Sequence, residues 1–204
     1  MNRAASAILI LGLTLAAGCA SAPKELEDLR SPKQDDRIDA ALSLTDNLIA
    51  GEAPYVEKKR EITLELRRLL DDHSALVRQV AIDAVARVEG RAAAGPIADR
   101  LRDKDVWVRY TAVKRLGELG AQTSAEPITE LLRKDESPDV RRAAAQALAQ
   151  LKPRASLRDL YLALQDDARG VRYHAYLALV AITGKDLGED PKAWRAAIPR
   201  GAGE

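Results

Sequence analysis

Apolar positions recur at helical spacing along most of the chain. Four stretches align on a valine followed by an arginine: Val77-Arg78, Val108-Arg109, Val140-Arg141 and Val171-Arg172, the valines lying 31 or 32 residues apart. Four, eight and eleven residues after each valine stand Ala81, Val85 and Val88; Ala112, Leu116 and Leu119; Ala144, Leu148 and Leu151; Ala175, Leu179 and Ile182. Those offsets fall on one face of a helix with 3.6 residues per turn. Each stretch runs into a breaker, at Gly90, Gly120, Pro153 and Gly184. A second apolar helix precedes each of them, at Ile62–Leu70, Pro96–Leu101, Pro127–Leu132 and Leu157–Leu164. Two of these begin with proline, which the first turn of a helix tolerates. No stretch alternates apolar and polar residues as a strand would. The repeating unit is therefore a helix, a tight turn carrying an aspartate (Asp72, Asp103, Asp135, Asp166), and a second helix opening with Val-Arg. Neither helix buries its apolar face alone, and stacked neighbours make a continuous core.

The pattern weakens at both ends. Asp36–Leu44 reads as a degenerate repeat helix with Ala41 and Leu44 in apolar slots, and Lys24–Leu29 as its short partner. After Gly184, Asp190 is placed to cap a helix with Pro191 in its first position. Trp194 would fold back and seal the open apolar end, leaving residues 199–204 as a tail.

Aspartate, then Val-Arg, then alanine at fixed spacing resembles the HEAT-like repeats of the phycobilin-lyase type. The resemblance covers about residues 54 to 184. It implies an all-α fold, a right-handed α-solenoid of about four to five helical hairpins; with the end segments added, the array is expected over 34–184 and a capping helix and tail over 185–204. It also implies that the turn aspartates and the arginines Arg78, Arg109, Arg141 and Arg172 bond between neighbouring repeats in a structural role. In such folds the second helix of each pair lines the concave face. The outward stripe of that helix reads Leu76, Gln79, Asp83; Trp107, Tyr110, Lys114; Asp139, Arg142, Gln146; and Gly170, Tyr173, Leu177. Trp, Tyr and Arg are favoured at binding hot spots. Trp107, Tyr110, Lys114, Arg142 and Tyr173 are accordingly the candidate partner-binding residues.

The N-terminus carries a separate signal. A positive start, an apolar run over Ala4–Leu15 and small residues form a secretory signal in the expected order. The apolar run is short of the ~20 residues that span a bilayer. Leu15-Ala-Ala-Gly-Cys19 resembles the lipobox of bacterial lipoproteins, in which the cysteine receives a lipid and the preceding signal is removed. That resemblance implies a signal peptide over 1–18, a lipidated tether over 19–33, and a place in the cell envelope, anchored to a membrane and facing the periplasm. Ala20 after the cysteine points to the outer membrane.

Composition limits the chemistry. With 32 basic and 31 acidic residues the chain is nearly neutral, which gives no electrostatic footprint for nucleic acid. One cysteine excludes an intramolecular disulfide and a cysteine metal cluster. The two histidines, His73 in a turn and His174 on a repeat helix, stand three repeats apart and share no metal in a rigid array. Asp186, Glu189 and Asp190 read as a capping loop rather than a calcium site. No phosphate loop or hydrolytic triad emerges. The expectation is a lipid-anchored scaffold for another protein, without catalysis or cofactor. The alternative is an accessory lyase-like or small-ligand-binding protein, and fold analogy alone does not choose between them.

Overall fold

A computed structural model describes residues 23–198, so Cys19 and the signal region lie outside the described residues, as does the tail. The described residues form helices and turns: α1 (Glu25–Asp28), α2 (Gln34–Ala50), α3 (Ala53–Glu57), α4 (Lys59–Arg68), α5 (Ala75–Glu89), α6 (Ala94–Ala98), α7 (Val106–Glu118), α8 (Ala125–Lys134), α9 (Pro138–Leu151), α10 (Leu157–Ala163), α11 (Arg169–Thr183) and α12 (Pro191–Trp194). The pairs α1–α2, α4–α5, α6–α7, α8–α9 and α10–α11 make five hairpins. The second helices pack directly on one another in the order α2, α5, α7, α9, α11. This is an all-helical solenoid.

Among the first helices α4 and α6 finish in 3₁₀ turns, Leu69–Asp71 and Asp99–Arg102, whereas α8 and α10 are each preceded by one, Gln122–Ser124 and Arg154–Ser156. Helices α6 and α8 start earlier than the prolines suggest, at Ala94 and Ala125. Pro96 and Pro127 thus occupy the third helical position, where the backbone N–H has no intrahelical acceptor and its loss costs nothing. The breakers act as expected at the other end. Gly90, Gly120 and Gly184 all adopt positive φ, and Lys152 takes the left-handed position before Pro153.

The core is a single ribbon of Leu, Ile, Val and Ala running along the array. The residues at offsets four and eight from each valine, Ala81 and Val85 through Ala175 and Leu179, are fully buried. The small residue in each set lets adjacent second helices approach. A close approach falls at Gly117, where a Cβ would lie 2.9 Å from Ala147 Cβ and 3.0 Å from Ala147 Cα. Backbone cannot swing aside as a flexible side chain does. Gly117→Val should therefore force α7 and α9 apart and destabilise the protein by about 1–3 kcal/mol. A chemical denaturation midpoint equal to wild type would contradict this packing.

Both ends are built into the fold. The segment from Pro23 to Lys33, read from sequence as a tether that also caps the array, carries α1 as the short partner of α2, with Leu26 of α1 and Leu29 at its C-cap buried. At the far end Asp190 caps α12 through the Lys192 amide. Trp194 is fully buried and its indole donates to the Gly188 carbonyl at 2.7 Å.

Candidate partner-binding surface

The turns between paired helices hold a ladder of charge. Each turn aspartate accepts from the backbone amide two residues on, at 2.9 Å in all four turns. The same carboxylate receives a two-pronged arginine from the preceding repeat. Arg78 grips Asp103 at 2.8 and 2.7 Å, Arg109 grips Asp135 at 2.7 and 3.0 Å, and Arg141 grips Asp166 at 2.8 and 2.9 Å. The remaining nitrogen of each arginine donates to the carbonyl of its own turn, six residues back. Asp72 receives Arg37 of α2, a residue the spacing did not single out. At the last turn Arg172 keeps only its own-turn carbonyls, Asp166 and Asp167, among the described residues.

These groups are structural. Burial raises the carboxyls of Asp72, Asp103 and Asp166, but the turn amides and arginines outweigh it and hold all three below the ordinary aspartate range. A carboxylate with a depressed folded value stabilises the native state above its unfolded pKa of about 3.9, and that contribution is lost as pH falls through the folded values. Thermal stability should therefore change little from pH 7 to about pH 5 and drop below about pH 4. Circular-dichroism melts across that range read the effect, and a midpoint that rises on acidification would contradict it.

On the face of the second-helix row turned away from the first helices, polar ladder gives way to exposed apolar side chains. Leu42, Leu76, Trp107, Tyr173 and Leu177 are all exposed, and all fall at the stripe offsets. Trp107 and Tyr110 meet edge to face with ring centroids 5.8 Å apart. Tyr110 and Lys114 of α7 then form one wall of an open groove of about 430 Å³. His174 and Leu177 of α11 form the other wall, and Ala143 and Ala147 of α9 its floor. Glu118 of α7 and Gln146, Ala149 and Gln150 of α9 complete its lining. Tyr173 stands beside the groove, edge-on to His174 at 5.5 Å. Arg142 is turned along its own helix to Asp139 at 3.0 Å, with its stem over Gly170.

The structure therefore brings Trp107, Tyr110 and Lys114 together, sets Tyr173 across α9 from them, and engages Arg142 within its own helix. His174 joins the surface, which the stripe offsets alone did not indicate because it lies one residue off them. Lining groups of this kind offer apolar contact and a few hydrogen bonds. Among the described residues no group of three or more His, Cys, Asp or Glu side chains is placed to hold a metal. No described helix is long and apolar enough to cross a membrane.

Stacked hairpins, an inter-repeat ladder and an exposed second-helix face define an α-solenoid repeat protein. The chain belongs to the HEAT-repeat family, whose repeats match residues 63–136 and 125–196. Among solved structures it is similar to the complex of CpcE and CpcF of phycocyanin lyase from Nostoc sp. PCC7120, with a TM-score of 0.62 at 21% identity. That match covers 79% of this chain and 64% of the other, so this chain spans somewhat under two thirds of that relative. It is also similar to a designed armadillo repeat protein in complex with the peptide (KR)4, at TM-score 0.57 and 22% identity, covering 80% and 82% of the two chains. An engineered protein matches at TM-score 0.59 and 23% identity, covering 88% and 86%. At these identities the likeness is one of fold. No curated protein sequence matches.

Proposed function

We propose that this protein is a lipid-anchored interaction scaffold of the bacterial envelope, holding another protein on its second-helix face. The observation that carries the reading is the exposed stripe from Leu42 to Leu177, gathered around the Trp107–Tyr110 pair. Five large apolar side chains exposed on one face of a soluble array have a cost in water that a partner relieves. Repeat neighbours seen with a protein or peptide partner support this use of the fold. The anchor rests on the Leu15–Cys19 motif and on the apolar run before it. It directs the face to the periplasm, with the outer membrane favoured by Ala20. The near-neutral charge and a second-helix face without a basic track speak against nucleic acid.

The test is affinity capture of the tagged protein after gentle extraction from membranes, beside a Trp107→Ala/Tyr110→Ala variant. Trp107 is exposed and Tyr110 half-buried against the core, so a circular-dichroism melt of the variant confirms that it is folded before capture. A partner recovered with wild type should fall at least tenfold with the variant, as loss of hot spots of about 1–2 kcal/mol each requires. A partner that ignores both substitutions would remove the surface from consideration. The groove between Tyr110 and His174 supports a second reading, a small flat ligand. Recovery of a bound chromophore or metabolite in place of a protein would favour it, and with it a lyase-like role.

A further inference from the structure

The N-terminal end departs from the repeat in one way that the core does not explain. Arg37 and Arg78 head successive second helices yet stand 41 residues apart, against 31 or 32 for later neighbours. The surplus is the corner from the end of α2 through α3, and α3 contributes no buried residue. It exposes apolar ones instead. Of the nine large apolar side chains exposed among the described residues, Ile49, Val56 and Leu64 lie between positions 49 and 64. Ile49 is 52% and Val56 48% exposed, one on each side of the α2–α3 bend.

This corner borders the point where the chain enters the fold. Tyr55 of α3 donates to Glu25 Oε1 at 3.2 Å, and Ser43 of α2 donates to the same oxygen. Glu25 is two residues beyond Pro23, the first described residue, and Cys19 is four residues before Pro23. Four residues reach at most about 14 Å in any conformation. An acylated Cys19 therefore keeps Pro23, and the α3 corner beside it, close to the headgroups.

We propose that the α2–α3 corner, led by Ile49 and Val56, sits in the membrane interface and sets the angle at which the solenoid stands on the bilayer. The proposal rests on the lipid-anchor reading above. Its occupant is the lipid surface, reached by apolar insertion: Lys58, Lys59 and Arg60 are balanced locally by Glu52, Glu57 and Glu61, so anionic headgroups add little. Two side chains alone bind a bilayer weakly, but a short tether raises their local concentration to the millimolar range, where a weak contact is occupied. The corner thus acts as a second foot beside the lipid.

The experiment uses the full lipidated protein, purified from membranes and reconstituted in phosphatidylcholine vesicles. Cys19 is the only cysteine and its sulfur is blocked by lipid, so Ile49→Cys, Val56→Cys and, at the far end, Leu162→Cys each accept one nitroxide label. Flotation with the vesicles reports the anchor. Relative accessibility of the label to oxygen and to a nickel chelate reports immersion. The expected result is a several-fold higher oxygen-to-nickel ratio at 49 and 56 than at 162, unchanged in high salt. Protein that floats with all three labels equally open to nickel would overturn the foot and leave the anchor standing. Protein that does not float would overturn the anchor and the foot with it. Spin–spin broadening at 49 and 56 that grows with protein density would assign the corner to a second copy instead, and would also overturn the proposal. An Ile49→Glu/Val56→Glu variant, altering only exposed side chains, should still float while a label at Leu64→Cys loses any protection from nickel.

Discussion

Replacing Asp135 with alanine should lower stability by about 3–5 kcal/mol, the usual cost of breaking a buried ion pair by removing one partner. Asp135 is the most enclosed carboxylate of the ladder, its side chain 3% exposed, and it holds Arg109 by two bonds and the Ser137 amide by a third. Removal leaves the Arg109 guanidinium, 10% exposed, without its buried counter-charge and takes away the acceptor of the Ser137 amide just before α9. For an array of this size the melting midpoint should fall by roughly 10 °C. Contacts in a solenoid are between neighbours, so hydrogen exchange should accelerate first in α7 and α9 and leave α2 near its wild-type protection. Arg109→Met/Asp135→Leu should recover much of the loss, because an apolar pair carries no stranded charge. A single-alanine variant as stable as wild type would show that the ladder contributes orientation but little energy.

Trp194→Ala should cost a comparable about 3–5 kcal/mol if the cap stays in place around the cavity. Trp194 is the largest fully buried side chain, and its indole N–H closes the 185–194 loop on Gly188. The loss has a second route, since the cap sits at the end of the array. Once the cavity costs more than opening the cap, residues 185–198 detach and water reaches the end of the apolar core. Limited proteolysis separates the outcomes. Rapid cleavage near Gly184 and Lys185 with the preceding repeats intact marks detachment. A lower midpoint with an unchanged cleavage pattern marks a retained cap, and neither change would show that the tryptophan does not seal the array.

Most of the architecture was legible because each unit repeats its signals at several levels. Apolar offsets, the turn aspartate, Val-Arg and a breaker all agree across four units, and the helices form where those signals coincide. The first unit was harder to read for two physical reasons. Asp36 stands where the other units have valine, and the α3 insertion displaces Arg37 from the 31-residue register, so its bond to Asp72 lay hidden. The proline boundaries slipped by two residues because a proline at the third helical position is as harmless as one at the first. The surface was half legible. Trp107, Tyr110 and Lys114 stood out by type and spacing, whereas the groove floor consists of Ala143 and Ala147, which look like core until the taller side chains of α7 and α11 are placed beside them. Arg142 stood out equally, but the i,i+3 acid Asp139 claims it.

The ladder also bears on how such a chain lengthens or shortens over time. Every internal unit presents an aspartate to the unit before it and an arginine to the unit after it, as in the run from Arg78 to Asp166. Excising one whole unit, from Asp103 through Lys134, would bring Asp135 into the place opposite Arg78 and leave every remaining turn aspartate of the ladder with an arginine. Excising half a unit would leave an arginine or an aspartate stranded between repeats. Recombination at unit boundaries is thereby tolerated and recombination elsewhere is penalised, so the same bonds that hold the repeats together also define where the gene can be cut and rejoined.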